Sequence, residues 1–350
     1  MKAINRNLLL IAIFIVTVLG LFINKLTTPR TLSNNELLIN GLFLFKTPKQ
    51  ISDGDWNHSA AEWMPDGASL IFSSLRVNEA EHEWRESEIY KAVLATGVIH
   101  QLTDRVGPDS GPVPSPDGQY IAYQGQDFND DTYRENELYV MSADGSNARS
   151  LGGEMGRSLG NITWTSDGSG VFFNVSMQGT QNLWFAPLNG EPHEVTSGNH
   201  MLSMASIDKD GRAVGTLSSY HKPGDIVSFG TGTGSPIEQL TRVNDDILSD
   251  VTLGQVEEVW YKSVDNFDIQ GWIIKPPNFD ESKKYPLMLS IHGGPHGMYN
   301  VGFNFGWQEH AANGYVILYT NPRGSAGYGS PFGNAIKNAY PDKDFDDLMA

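Results

Sequence analysis

The pattern of apolar and polar positions divides the chain into three parts. Residues 7–24 carry no charge and are almost entirely apolar. Residues 37–255 consist mainly of short segments rich in β-branched and aromatic residues, separated by turns with glycine, aspartate and asparagine, a pattern typical of β-strands. From residue 256 onward, continuous apolar runs alternate with segments of helical spacing, which indicates an α/β arrangement. We therefore expect an apolar helix, an all-β domain over 37–255 and an α/β domain over 256–350.

The apolar segment at 7–24 is long enough to cross a membrane. Its 18 residues would form a helix of about 27 Å, close to the roughly 30 Å of a hydrocarbon core. A cleaved signal peptide is the alternative, but such peptides end in a small-x-small site, which this segment matches poorly. Lys2 and Arg6 precede the segment, which predicts that residues 1–6 are a cytoplasmic tail. We expect an uncleaved transmembrane signal anchor, then a linker at 25–36, with the bulk of the chain periplasmic or extracellular.

Four segments of the all-β part can be laid over one another. Each contains an Asp-Gly pair, and the aspartates, separated by 51, 50 and 43 residues, are Asp66, Asp117, Asp167 and Asp210. Asp-Gly is a tight-turn pair because glycine accepts the positive φ that the turn needs. Strand patterns and a second glycine-containing turn follow each pair, which predicts a four-stranded antiparallel unit of about 45 residues, the period of a β-propeller blade. Four blades and a partial one are countable, and the total number stays open.

A catalytic motif occurs inside these repeats. Residues 156–160, Gly-Arg-Ser-Leu-Gly, match G-x-S-x-G, the nucleophile elbow of many serine hydrolases. That motif requires a sharp turn from a strand into a helix. Here a strand pattern follows instead, so we expect Ser158 not to be a nucleophile.

The part from residue 256 predicts a sheet with helices. Residues 256–264 and 269–277 alternate like two antiparallel strands joined by Asp265-Asn266. Two continuous apolar runs, 285–293 and 315–324, predict strands buried on both faces. Helices are predicted at 303–314, 332–340 and 342–350.

The loop that follows the first apolar run contains Gly293-Gly294-Pro295. In an α/β-hydrolase sheet, the loop after the third strand supplies one backbone N–H of the oxyanion hole. Each preorganised donor of this kind stabilises the charge of a tetrahedral intermediate by roughly 3 kcal/mol. Glycine keeps side chains away from such a donor and permits unusual backbone angles. We expect the N–H of Gly294 to be an oxyanion-hole donor, with Gly293 as the alternative.

Two histidines flank these glycines. His292 and His296 have the H-x-x-x-H spacing of a metal pair, but ligands four apart share a face only on a helix, and this segment is a Gly-Pro loop. A hydrogen-bonded, structural His292 is the other interpretation, and the one we favour. Neither histidine is expected to be the general base, and no metal or other cofactor is predicted.

Composition narrows the classes of partner. The chain has 24 basic and 41 acidic residues, a net charge of −17, which argues against nucleic-acid binding because that function needs a basic surface. It has no cysteine, which excludes disulfides, thiolate catalysis and cysteine-bound zinc. Acidic residues cluster at 79–88 and at 127–137. We expect solvated loops at both clusters, and a site for a peptide's amino terminus is the alternative.

Three C-terminal strings, together with the preceding blades, resemble the prolyl oligopeptidase family of serine peptidases. The strings are IHGGPHG (291–297), YVILYTNPRGSAGYG (315–329) and AIKNAYPDKDFDDLMA (335–350). They look most like the acylaminoacyl-peptidase and dipeptidyl-peptidase branches, and the repeats also resemble TolB. The resemblance covers about residues 37–350. It implies a TolB/WD40-like propeller that caps an α/β-hydrolase active site, admits only short peptides and needs no cofactor or metal.

The chain departs from this family in one respect. In the family the elbow serine follows the stretch that resembles residues 342–350, and the acid and the histidine come later still. The resemblance therefore implies that the Ser-Asp-His triad is not in this chain, that the hydrolase domain is incomplete, and that the chain alone is inactive.

Two functions remain open at this point. The first is an exported serine peptidase, either an exopeptidase or an oligopeptidase, represented by its amino-terminal part. The second is a non-catalytic TolB-like propeller that binds a partner and carries a vestigial hydrolase tail. The complete glycine motifs favour the first, and an open reading frame beyond codon 350 that encodes an elbow would decide between them. Substrate specificity and oligomeric state are not predicted.

Overall fold

Antiparallel strands dominate the computed structural model, which describes residues 49–152 and 158–350. The predicted tail, anchor and linker, and the first residues of the predicted propeller, lie outside the described residues. Within the described ranges, no helix is long and apolar enough to cross a membrane. Residues Ile51–Ala350 form one compact unit, so the domain boundary at 255/256 stays a prediction.

The first two repeats each form a separate four-stranded sheet in which the strands lie side by side in chain order. Every neighbouring pair in these two sheets is antiparallel. The first sheet contains β1 (Asn57–Trp63), β2 (Ser69–Leu75), β3 (Ser87–Val93) and β4 (Val98–Gln101). The second contains β5 (Asp109–Pro114), β6 (Tyr120–Gly125), β7 (Glu137–Ser142) and β8 (Arg149–Ser150).

The third and fourth repeats have the same internal order, and a single parallel bridge joins them into one eight-stranded sheet. Gln181 of the third repeat pairs with Met201 of the fourth at this bridge. The third repeat contains β9 (Ser158–Trp164), β10 (Gly170–Met177), β11 (Thr180–Pro187) and β12 (His193–Glu194). The fourth contains β13 (Met201–Ile207), β14 (Arg212–Ser219), β15 (Lys222–Gly230) and β16 (Ile237–Gln239).

The four Asp-Gly pairs lie where the sequence predicts turns. Each connects the first and second strands of its repeat, and the glycine adopts a positive φ in all four. These glycines are Gly67, Gly118, Gly168 and Gly211. The predicted four-stranded antiparallel unit is therefore observed in all four repeats, including the fourth, whose sequence pattern is the weakest.

A threonine ties the third strand to the fourth in three of the repeats. In the first, the amide of Ile89 donates to the hydroxyl of Thr103 (2.9 Å), and that hydroxyl donates to the carboxyl of Glu88. In the second repeat Gly152 takes the position of the threonine, so the side-chain bond is missing. In the third repeat the amide of Leu183 donates to the hydroxyl of Thr196, which donates to Asn182. In the fourth repeat the amide of Ile226 donates to the hydroxyl of Thr241, which donates to Asp225.

Burial of the Glu88 carboxyl in the first repeat predicts that folding stability depends on pH. The side chain of Glu88 is 7% exposed, and burial raises its pKa to about 8. Between its ordinary pKa of 4.5 and about 8, the unfolded chain loses this proton while the folded chain keeps it, so folding stability falls as pH rises through this window. We expect Glu88→Gln, which imitates the protonated carboxyl, to lose less thermal stability than the unmodified chain between pH 5 and pH 9.

The control for this prediction is Glu62→Gln, since Glu62 is exposed on β1. Calorimetric melting temperatures at both pH values measure the effect. Parallel pH curves for Glu88→Gln and the unmodified chain would contradict it.

The C-terminal part forms a mixed four-stranded sheet. Its strands are β17 (Gln255–Lys262), β18 (Asp268–Lys275), β19 (Leu287–Ser290) and β20 (Val316–Asn321). They lie in the order β17-β18-β20-β19, with β19 and β20 parallel and the other pairs antiparallel. The predicted hairpin is confirmed, since Asp265 and Asn266 connect its two strands with φ angles of 56° and 64°.

Four helices occur among the described residues. The helices predicted at 303–314 and 342–350 are observed, whereas the one predicted at 332–340 is replaced by a short helix and a 3-10 turn that end at Ile336. The side chain of Asn304 caps the helix Phe305–Ala312 by accepting from the amide of Trp307 (3.0 Å). The four helices are α1 (Asp245–Leu248), α2 (Phe305–Ala312), α3 (Ser330–Gly333) and α4 (Lys343–Met349). Short 3-10 turns lie at Val264–Asn266 and Asn334–Ile336.

One prediction about burial is wrong. The apolar run at 315–324 forms β20, which is largely buried as expected, but the run at 285–293 forms β19 at the edge of the described sheet. Leu287 is 61% exposed and Ile291 is 56% exposed. A continuous apolar run predicts a strand with apolar neighbours on both faces. In the described chain β19 is an edge strand whose single neighbouring strand is β20.

The C-terminal sheet packs against turns of the repeats through Trp272. This side chain is fully buried, stacks on Tyr319 at 5.2 Å between ring centroids, and donates from its indole nitrogen to the hydroxyl of Tyr220 (2.8 Å). The β10–β11 turn also contacts it, because a Cβ on Gly179 would lie 2.6 Å from the indole ring. The connections between the second and third strands of the third and fourth repeats therefore face the C-terminal sheet.

Candidate active site

The glycine loop lies directly after β19, at the carboxyl end of a strand that is parallel to β20. Gly294 has a φ of +136°, and a Cβ at this position would lie 2.8 Å from the amide nitrogen of Gly297 and 3.0 Å from that of His296. Gly293 differs, because a Cβ there would meet nothing within 4 Å. Neither Gly293 nor Gly294 donates its amide to any residue of the described chain. Two backbone donors are thus available in a loop where one position has no room for a side chain.

The segment after β20, Asn321–Gly329, holds this loop in place. The side-chain amide of Asn321 accepts from the backbone nitrogen of Tyr299 (2.7 Å) and donates to its carbonyl (2.9 Å). The amide of Ala326 donates to the carbonyl of Gly297 (3.0 Å). The two motifs, which are separated in sequence by helix α2 and strand β20, therefore form a single structure in which the second supports the first.

Arg323 fixes the far side of the same segment. Its guanidinium is almost fully buried and donates to both carboxyl oxygens of Asp347 in α4 (2.9 and 2.8 Å), a side chain with no exposed surface. It also donates to Asp265 in the β17–β18 connection (3.2 and 3.1 Å). The hydrogen bonds from Arg323 and Lys343 lower the pKa of Asp265 to about 2. This ion cluster ties α4, the hairpin and the end of β20 together.

The two histidines contact different groups. His292 Nε2 lies 3.0 Å from Ser325 Oγ, and burial lowers the pKa of His292. His296 Nδ1 lies 2.8 Å from the carbonyl oxygen of Gly324. This arrangement agrees with a structural, hydrogen-bonded His292. Among the described residues, no group of three or more histidine, aspartate or glutamate side chains is placed to hold a metal ion.

Two serines lie near groups that could suggest a nucleophile. Ser325 is adjacent to His292, but it is fully buried and its hydroxyl donates to the carbonyl of Pro322 (2.7 Å). Ser158 begins β9, with its hydroxyl 3.2 Å from that of Tyr133. A strand follows Ser158, as the sequence predicts, so the elbow geometry is absent at this described position. Neither serine is arranged as a nucleophile.

The β6–β7 connection packs against the C-terminal part beside the glycine loop. The side chain of Asn334 accepts from the backbone amides of Thr132 (3.0 Å) and Tyr133 (3.1 Å). The ring of Tyr133 lies 4.8 Å from that of His296. The carboxyl of Glu135 accepts from the amide of Gly329 (3.2 Å). These contacts place the second repeat directly next to the predicted donors.

The acidic clusters are not wholly solvated, which corrects the sequence interpretation. Most of their members are exposed or half-buried, but Glu88 and Glu135 are 7% and 5% exposed. Glu88 bonds within its own repeat and Glu135 bonds across to the C-terminal part. A cluster of acidic residues in the sequence does not show which carboxyls are buried, because the partners of a buried carboxyl lie far away in sequence.

Three comparisons with known proteins bear on this site. A family model described as the prolyl oligopeptidase family matches residues 301–350. The chain is 26% identical over 292 residues to dipeptidyl-peptidase 5 of Porphyromonas gingivalis, covering 82% of this chain and 42% of that protein. It is 31% identical over 264 residues to dipeptidyl-peptidase 5 of Aspergillus fumigatus, covering 69% and 34%.

A solved structure gives the same result. The acylaminoacyl peptidase of Pyrococcus horikoshii superimposes with a TM-score of 0.70 at 25% identity, over 83% of this chain and 44% of that one. The chain thus spans less than half the length of these relatives. The similarity to prolyl oligopeptidase-family peptidases that the motifs predict is confirmed over the matched parts of the chain.

Proposed function

We propose that this chain, whose residues 301–350 match the prolyl oligopeptidase family, is the amino-terminal part of an exported serine peptidase that acts on short peptides. The relatives support peptidase chemistry. The observation that carries the proposal is the loop after β19, where two backbone amides have no partner among the described residues and Gly294 has no room for a side chain. The choice between exopeptidase and oligopeptidase stays open.

We propose a β-propeller over residues 37–255 and an incomplete α/β-hydrolase domain over 256–350. The four-stranded meanders of the repeats support the first. The strand order β17-β18-β20-β19, with helix α2 between the two parallel strands, supports the second. The exposed edge of β19 suits pairing with a further strand of the complete enzyme.

In this proposal the chain's own residues supply the electrostatic part of the mechanism. The N–H of Gly294, or of Gly293, donates to the oxygen that becomes negative when a nucleophile attacks the scissile carbonyl. A donor that is fixed before the reaction costs no reorganisation in the transition state. Asn321 and its segment hold the loop in this position. The nucleophile, the acid and the base are assigned to no residue of this chain.

The chain of residues 1–350 should show no turnover of a chromogenic peptide ester. A longer product of the same gene, if codons beyond 350 encode a G-x-S-x-G elbow, should hydrolyse it and should lose this activity when the elbow serine becomes alanine. Turnover by the purified 350-residue chain that Ser158→Ala abolishes would overturn both the proposal and the dismissal of residues 156–160.

We also propose that residues 7–24 anchor the protein, with the chain beyond Lys25 on the far side of the membrane. The charge-free run and the poor cleavage site support this. Fractionation should recover the protein with the membrane, starting at its original amino terminus. A soluble form that begins between Gly20 and Thr31 would show cleavage instead.

A further inference from the structure

A pocket of about 180 Å³ lies between the β2–β3 connection of the first repeat and the β6–β7 connection of the second. Two side chains in its wall are large, apolar and exposed, Trp84 at 62% and Phe128 at 41%. Two others, Arg85 and Arg134, are arginines. We call this site the arginine pocket.

The arginines of this pocket are its uncompensated charges. The two carboxyls in its wall each lie near a base: Asp127 lies 3.5 Å from Arg105, which also pairs with Asp109, and Asp131 lies 3.4 Å from Lys337. Among the described residues, neither Arg85 nor Arg134 forms an ion pair, and Arg134 forms no hydrogen bond either. The pocket therefore attracts an anion, although the chain as a whole is strongly acidic.

Aromatic rings hold one of the arginines in a fixed orientation. The guanidinium of Arg85 lies 4.4 Å from the ring centre of Trp84 and 5.3 Å from that of Phe128. One of its nitrogens donates to the carbonyl of Asp131 (3.0 Å). A guanidinium has five N–H donors in a planar fork, so most of them remain for a ligand. This fork matches the two oxygens of a carboxylate.

The arginine pocket is next to the candidate active site. Tyr133 lines the pocket, and its ring also packs 4.8 Å from His296, in the loop of the predicted oxyanion donors. One side chain therefore separates the two. A peptide of a few residues, at up to about 3.5 Å each when extended, can reach from one to the other.

We propose that the arginine pocket binds a carboxylate of a short peptide, with an apolar side chain of that peptide against Trp84 and Phe128. The carboxylate is either the peptide's free carboxyl terminus or an acidic side chain, because the guanidinium fork recognises both alike. The proposal rests on the proposed function for the identity of the ligand as a peptide. It assigns Arg85 and Arg134 to specificity rather than to chemistry.

Calorimetric titration of the purified 350-residue chain tests this. The probes are acetyl-Gly-Gly-Phe with a free carboxylate, the same peptide as its amide, and acetyl-Asp-Gly-Phe amide. We expect the free acid to bind at least about tenfold more tightly than the amide. Binding of the third probe as tight as that of the acid identifies an acidic side chain as a sufficient source, and binding as weak as that of the amide restricts the pocket to a carboxyl terminus.

Variants locate the binding. Arg134→Gln should weaken the free acid about tenfold and leave the amide unchanged, and Arg134 is suitable because it forms no ion pair or hydrogen bond with the part of the chain that the structure describes. Arg85→Gln should do the same, while Arg85→Lys, which keeps the charge between the rings, should retain part of the affinity. Arg212→Gln is the matched control. Arg212 lies at the turn between the first and second strands of its repeat, whereas the arginine pocket lies at connections between second and third strands, which are at the opposite end of a repeat.

Two results would overturn the proposal: equal affinity for acid and amide, or a preference for the acid that persists in both Arg134→Gln and Arg85→Gln. Each variant's melting temperature shows whether it is folded. The titration needs no turnover, so a gene product without peptidase activity would refute the proposed function while leaving the carboxylate preference of the pocket to be measured directly.

Discussion

Replacing Asp347 by alanine should lower the free energy of unfolding by about 3–5 kcal/mol, the usual cost of removing one partner of a buried ion pair. The substitution leaves the guanidinium of Arg323, which is 4% exposed, without its two strongest acceptors. Asp265 remains as a partner but is 39% exposed, so it compensates only in part. Urea unfolding of the purified chain, monitored by circular dichroism, measures the change.

Two further variants separate the ion pair from helix packing. Arg323→Met combined with Asp347→Leu removes both charges and should recover much of the loss, since an apolar pair of similar volume can replace a buried ion pair. Asp268→Ala is the surface control. It removes an exposed pair with Lys262 and should cost at most about 1 kcal/mol. If Asp347→Ala costs no more than Asp268→Ala, the cluster does not stabilise the fold as the geometry indicates.

The elements that the sequence predicts are those with local causes. The turns at the four Asp-Gly pairs follow from the freedom of glycine at positive φ, and the hairpin at Asp265-Asn266 follows from the alternation on either side of it. Helix α2 lies within the predicted range 303–314, where it begins after the polar cap Asn304 and ends shortly before Gly314. Each of these signals lies within a few residues of the structure that it determines.

The contacts that the sequence does not reveal join distant residues. Arg323 and Asp347 are 24 residues apart, and Asn334 contacts Tyr133 across 201 residues. In the last helix, Asp344 and Asp346 lie in the first turn, where acidic residues favour the helix dipole. This local pattern does not single out Asp347, whose partner lies in another element. Burial of β19 was overestimated for the same reason, because packing partners are not part of a local pattern.

The candidate site combines both kinds of information. The glycine motif predicts a loop with available amides, and the structure agrees in its conformation. The role of Asn321 as the support of that loop depends on folding, which brings its side chain to the backbone of Tyr299. The arginine pocket had no sequence signal at all, since Arg85 and Arg134 occur within clusters that are acidic in sequence.

Gly294→Ala should reduce kcat about a hundredfold in the complete peptidase proposed above, the usual cost of one oxyanion donor. A Cβ at this position would lie 2.8 Å from the nitrogen of Gly297, and the φ of +136° is one that alanine rarely adopts. The loop must therefore change its conformation, and the amide turns away from the substrate oxygen. The loss should appear in kcat more than in KM, because the oxyanion forms only near the transition state.

Two other alanine variants in the same loop make this prediction specific. Gly293→Ala keeps the amide and adds a Cβ that meets nothing within 4 Å, so kcat should stay near normal whichever glycine is the donor. His296→Ala loses the contact with the carbonyl of Gly324 and should lower kcat much less than Gly294→Ala, since His296 has no assigned chemical role. Steady-state kinetics with a peptide substrate gives the order of the three effects. If Gly294→Ala keeps a normal kcat while His296→Ala abolishes turnover, the reaction depends on the histidine, and the oxyanion role of Gly294 is wrong.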